Sequence, residues 1–398
     1  MPIAAVVIMT LGVVTSTSAQ ESRLEQLAAQ RREKAETVQP HEPNTAERVL
    51  DMMGNFPMLS DSPHGPYPLL GGIMDGAGWL RVGVAYRTNF GDVDHVTTQA
   101  RVSNRGYWEV GGEVQLLNLV PGRVAVRLDG SHLYARDVSF YGVGNAAAPG
   151  DDPDVFAMNA TTAGVTGTLR ASRLLSFGGR AAYDHVTTGD ATLQDPSRMT
   201  TARIEEAPGF GRTFDYIHSE VFVDLDWRES PGFTRSGGRY RLGVHQYAHI
   251  NGSDSSFTRL DAEVAQYFPF LHGNRVVALH GLASLTSVGS DQVIPHFHLP
   301  DLGGRNSVRS LPSFRYLDRH RLLLTAEYRW RASEMIEMAL FGDAGKVAAT
   351  TRHFDLHDLH TALGIGIRLH GPTFTAMRMD AAYGAEGLRV IFAVGPVF

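Results

Sequence analysis

The sequence predicts an all-β chain, a transmembrane antiparallel β-barrel of about sixteen strands. Three observations predict it. From about residue 67 onward, short segments alternate apolar and polar residues, separated by clusters of Gly, Pro, Asn and Asp. The polar half of nearly every segment mixes Arg, Asp, Glu and His, which places water on one strand face and an apolar solvent on the other. The chain opens with an export-type apolar run, yet no later window reaches the roughly 20 continuous apolar residues that a spanning helix needs.

Composition excludes several function classes. The 398 residues carry a formal net charge of −6 and no cysteine. Mild acidity argues against a nucleic-acid partner, which asks for a basic patch or stripe. Without cysteine there are no disulfides and no thiolate metal sites. A mean hydropathy of −0.14 suits a barrel, because half of each strand faces water.

Residues 1–19 (MPIAAVVIMTLGVVTSTSA) read as a signal peptide, with the apolar stretch Ile3 to Val14 and small residues ending at Ala19. Residues 20–66 read as a periplasmic leader. Within it, Ser22 to Glu36 is a charged helical stretch with Leu24, Leu27 and Ala28 on a narrow apolar stripe. A solvated linker is its simplest reading, and contact with a periplasmic partner is the alternative.

The barrel occupies 67–398. Strands are expected at 67–74, 78–87, 94–103, 107–117, 122–135, 154–170, 173–187, 213–227, 238–250, 256–268, 274–288, 320–331, 334–343, 360–370, 373–384 and 387–398. Leu322, Leu324, Ala326, Tyr328 and Trp330 share one face of their strand, and Glu327 and Arg329 the other. Ile336, Met338 and Leu340 likewise oppose Glu337, Phe341 and Asp343. Long connections fall at 136–153, 188–212 and 289–319 and belong outside the cell, whereas tight turns such as Ala171-Ser172 are periplasmic. The last segment, GLRVIFAVGPVF, carries Val390, Phe392 and Val394 at two-residue spacing and ends on Phe398. A terminal aromatic on such a strand resembles the signal by which bacterial barrels are recognised for insertion, so the cell's barrel assembly machinery is an expected partner.

Three ordered motifs carry a resemblance to a known family. They are Phe140-Tyr141-Gly142-Val143-Gly144-Asn145, then Leu302-Gly303-Gly304 followed by Val308-Arg309, then Phe341-Gly342-Asp343-Ala344-Gly345. In order and spacing they resemble the bacterial surface antigen superfamily, the sixteen-stranded outer-membrane barrels of the BamA and TamA type. The resemblance implies that the 289–319 connection folds into the lumen, with Arg309 at its tip facing the strand of Asp343. Ser310 stands where the family has glycine, and Leu311-Pro312 replaces its aromatic; serine restricts a tip that glycine would leave free. Residues 20–66 are too short for a periplasmic POTRA module, as in a short branch that is essentially only a barrel.

Arg309 also has a reading of its own. A guanidinium offers five donors in a fixed fork and stays charged, so it can clamp a carboxylate bidentately. Arg309 is expected to pair with Asp343, with Glu327 sharing the same interior, and to hold the loop in a hydrated lumen. The histidines of HFDLHDLH (His353, His357, His360) and HFHL (His296, His298) have zinc-ligand composition but lack a fixed frame, and they read as solvated. No catalytic constellation is present, and neither a cofactor nor a metal is expected. The resemblance implies a non-enzymatic barrel that assists insertion or translocation of protein or lipid substrates, among outer-membrane lipid and lipopolysaccharide. A passive or gated pore, or a structural outer-membrane barrel, is the rival reading.

Overall fold

A computed structural model describes residues 64–91, 93–146, 152–192, 202–371 and 374–398. The signal peptide expected at 1–19 and the helix expected at 22–36 lie outside the described residues. Sixteen strands hydrogen-bond in chain order into one antiparallel sheet. They are β1 (Gly65–Leu70), β2 (Arg81–Phe90), β3 (Asp94–Ser103), β4 (Trp108–Val120), β5 (Val124–Phe140), β6 (Asp154–Arg170), β7 (Leu175–Asp190) and β8 (Thr213–Asp226). The sheet continues through β9 (Gly237–His249), β10 (Phe257–Phe270), β11 (Arg275–Val288), β14 (His320–Arg331), β15 (Ile336–Ala348), β16 (His360–His370), β17 (Thr375–Gly384) and β18 (Gly387–Ala393). A two-residue hairpin, β12 (Asp301–Leu302) with β13 (Tyr316–Leu317), ties the base of the long connection before β14.

The expected alternation sets the faces. On β16, Leu363, Ile365 and Ile367 are exposed toward lipid, while Ala362, Gly366 and Arg368 are buried inside. On β14, Leu323, Thr325, Glu327 and Arg329 point inward and Leu324 and Tyr328 outward. Contacts between strands remote in the order enclose a lumen. Asn145, just past β5, accepts a hydrogen bond from Val347 N on β15 at 3.0 Å. Strands β4 to β11 run 13–17 residues, beyond the ~9–11 that cross a bilayer. The longest connections gather at one end, the extracellular one.

Three expectations need correction. The first strand ends at Leu70 rather than 74, because its apolar continuation is a loop that enters the lumen, where Ile73 and Ala77 are fully buried. The last strand ends at Ala393 rather than 398. Gly395, at φ 83°, turns the chain inward, so Phe398 keeps the outward parity of Val390 and Phe392 in sequence but not in space. Its ring stacks on His280 at 4.7 Å, and Tyr267 Oη donates to its carbonyl at 2.9 Å. The interior, finally, is not hydrated throughout. Under the extracellular mouth, Phe140, Phe156, Phe214, Tyr216 and Phe257 pack with Ile204, Ile294 and Leu317 into a dry core.

Candidate functional site

The 289–319 connection descends from this core into the lumen. Gly303 permits the descent with φ 117°, in a region that only glycine enters freely. A Cβ there would also overlap the Pro312 carbonyl. Val308 and Leu311 then bury themselves with Leu302, Tyr316, Leu323, Val347 and Ala362. Gly345 makes room for them, since a Cβ would stand 2.6 Å from Leu302 Cδ1. The altered tip is accommodated without glycine. Ser310 is absent from the residues with positive φ and seats directly over Gly384, whose missing side chain leaves the space.

At the tip, Arg309 is fully buried and meets three carboxylates. It grips Asp343 bidentately, Nε to Oδ2 at 2.9 Å and Nη2 to Oδ1 at 2.8 Å, and its backbone N–H reaches Asp343 at 3.1 Å. Nη1 reaches Glu327 at 2.8 Å and Asp380 at 3.4 Å. Its guanidinium lies flat on the Phe341 ring, 3.3 Å from the centroid. Phe341 in turn lies over Gly364, where any Cβ would overlap the ring. The structure thus brings together Arg309, Glu327, Asp343 and Phe341 of the expected set.

Sequence reasoning missed how far the network extends. Arg368 donates to Glu327 at 2.7 Å, Arg329 to Glu327 at 2.7 Å, and Arg378 to Asp380 at 2.7 Å. All these side chains are nearly or wholly inaccessible to solvent. Strand parity points Arg368 inward, but no sequence signal gives the register that brings β14, β15, β16 and β17 charges to one point. A buried network adds little net stability, because desolvation offsets the attraction. Removing one member costs about 3–5 kcal/mol. Such a network fixes position rather than strength.

The Phe140 to Asn145 motif forms a second strap across the mouth. Gly142 and Gly144 both have positive φ, and Gly144 N donates to Leu317 O at 2.7 Å. Arg315 stacks over Tyr141 and pairs with Glu386 beside β18. Asn145 donates to Asp358 O at 3.1 Å, and His360 Nε2 hydrogen-bonds to Asn145 O at 3.0 Å.

The periplasmic connection 227–236, which sequence reasoning passed over, also turns inward. Thr375 N donates to Gly232 O at 2.8 Å, and Phe233 packs on His370 at 3.8 Å. Arg235 pairs with Glu337 of β15. The connection therefore crosses under β10, β11 and β14. Its Pro231-Gly232 pair was the available signal, but a turn signal does not say which way a loop folds.

The histidine reading divides. His353 and His357 are exposed, as expected of solvated side chains. His296 is buried against Phe140 and Phe156, its Nδ1 3.0 Å from Pro208 O. Burial pushes its imidazole down to about 4. A histidine held neutral in the fold binds protons more readily when unfolded. Its stabilising contribution is complete above about pH 6.5 and is lost as pH falls toward 4. The loss is on the order of 3 kcal/mol at the lower end. Amide exchange in 289–300, corrected for intrinsic rate, is expected to accelerate over that window.

A one-sheet barrel with an inward loop held on buried charges defines an outer-membrane β-barrel with an internal brace. The Omp85 superfamily domain matches residues 130–395, and the chain belongs to that superfamily. It is a bacterial outer-membrane protein. Its fold is similar to that of BamA from Haemophilus ducreyi lacking POTRA domains 1–3, with a TM-score of 0.57 and 14% identity over 79% of this chain and 66% of that one. It is also similar to CdiB from Escherichia coli, with a TM-score of 0.50 and 12% identity over 81% of this chain and 57% of that one. The chain thus spans under two thirds of the length of each. No curated protein matches.

Proposed function

We propose that the barrel assists insertion of protein substrates into the outer membrane by opening at the seam between β1 and β18. The seam itself carries this reading. β1 has 6 residues and β18 has 7, against 10–17 for the other barrel strands. No ladder joins the two among the described residues. β18 leaves a row of backbone donors and acceptors able to pair with an incoming strand, whereas Pro66 and Pro68 lack the N–H groups that β1 would need to do the same. In this reading the Arg309 network is a tether that keeps β14 to β17 rigid while the neighbouring edge moves.

A gated conduit is the second reading, favoured by a cavity of about 540 Å³ lined by residues of β4 to β9, including Arg127, Arg180, Glu220 and Asp224. Depletion from cells separates the two. Falling levels of other outer-membrane barrels support insertion. Unchanged levels, with altered uptake of small solutes, support the conduit.

A further inference from the structure

We infer that the periplasmic rim between the β10–β11 and β14–β15 turns is a binding site for the headgroup of an anionic glycerophospholipid. A cavity of about 320 Å³ lies there, lined by Leu271, Asn274, Arg275, Arg331, Ala332 and Ser333. Its size falls at the lower end of ligand pockets, roughly 300–1,000 Å³. Arg275 and Arg331 have no carboxylate partner among the described residues, although most inward-facing arginines of this barrel are paired.

Position gives the ligand. Arg275 stands opposite Trp330 on one neighbouring strand and Phe270 on the other, on the face turned to lipid. Phe270 and Tyr328 lie 6.0 Å apart, and Tyr328 and Trp330 5.8 Å. Such an aromatic group marks the depth where acyl chains give way to headgroups. Arginine forks match phosphate geometry, and a long stem lets them reach out of the apolar layer. The β10–β11 turn also carries an exposed apolar side chain in a strained backbone conformation. Leu271 and His272 hold φ of 49° and 57°, and Leu271 is 63% exposed. A leucine in that backbone region is unfavourable unless its surroundings compensate. An apolar contact with lipid would do so. The acyl chains would run along Phe270 and Tyr328 while Arg275, on the lipid face, holds the phosphate. Arg331 keeps the inward parity of Arg329 but is exposed at the end of β14, so it would reach the phosphate around the rim.

The test is native mass spectrometry on the full chain, delipidated in detergent and titrated with dioleoylphosphatidylglycerol, dioleoylphosphatidylcholine or inorganic phosphate. Tighter binding of phosphatidylglycerol than phosphatidylcholine is expected. Arg275→Gln or Arg331→Gln should each weaken it roughly fivefold, and both together about thirtyfold. Heat-modifiable gel mobility establishes that each variant is folded. The exposed Arg331→Gln serves alone if the double variant does not fold. Equal binding of the two lipids, unchanged affinity in folded variants, or full displacement by inorganic phosphate would overturn the proposal.

Discussion

Arg309→Ala is expected to free the tip of the 301–319 loop and leave Glu327, Asp343 and Asp380 as buried carboxylates short of a partner. These groups sit within 3.4 Å of the guanidinium. The cost is about 3–5 kcal/mol, set by the charges left behind rather than by the worth of any one bond. Arg309→Lys should rescue little. An ammonium is a point charge that cannot span two carboxylates bidentately, and it loses the flat stack on Phe341. In planar bilayers the alanine variant should conduct more than the parent, and added protease should cut between 301 and 319. A variant with parental conductance and an uncut loop would remove the tether from the account.

The Gly71→Cys/Val394→Cys pair is expected to lock the seam. A Cβ on Gly71 would stand 3.8 Å from Val394 Cβ, about the mean separation in a disulfide. Gly71 has φ 75°, so the cysteine there costs on the order of 1 kcal/mol, which an intact barrel tolerates. The chain has no other cysteine, so no wrong pairing competes. Oxidation should abolish any activity that needs the β1 and β18 edges, and reductant should restore it. A pore that works through the lumen would be indifferent to the lock.

The residues that made the fold legible were those whose role is local. Leu322 to Trp330 fix the face of β14 by parity alone, and Asp94 to Ser103 bound β3 because turn residues flank them. Arg309 and Asp343 were readable as a pair through the family resemblance. What stayed hidden depends on contacts across the lumen. Asp380, Arg368 and Arg378 join the network through register, which alternation does not encode. Ile73 looks like part of a strand because a loop buried in a lumen is as apolar as a strand facing lipid. Phe398 shows the same limit, since a single glycine at 395 sends it inward.

The central claim is that the barrel inserts proteins through its seam. Its most direct test measures how fast an unfolded outer-membrane barrel folds into lipid vesicles that contain this protein with the Gly71→Cys/Val394→Cys pair. Folding should be faster than in empty vesicles when the pair is reduced, and fall to the empty-vesicle rate when it is oxidised. Equal rates in empty and reduced-protein vesicles, or acceleration that survives oxidation, would contradict it.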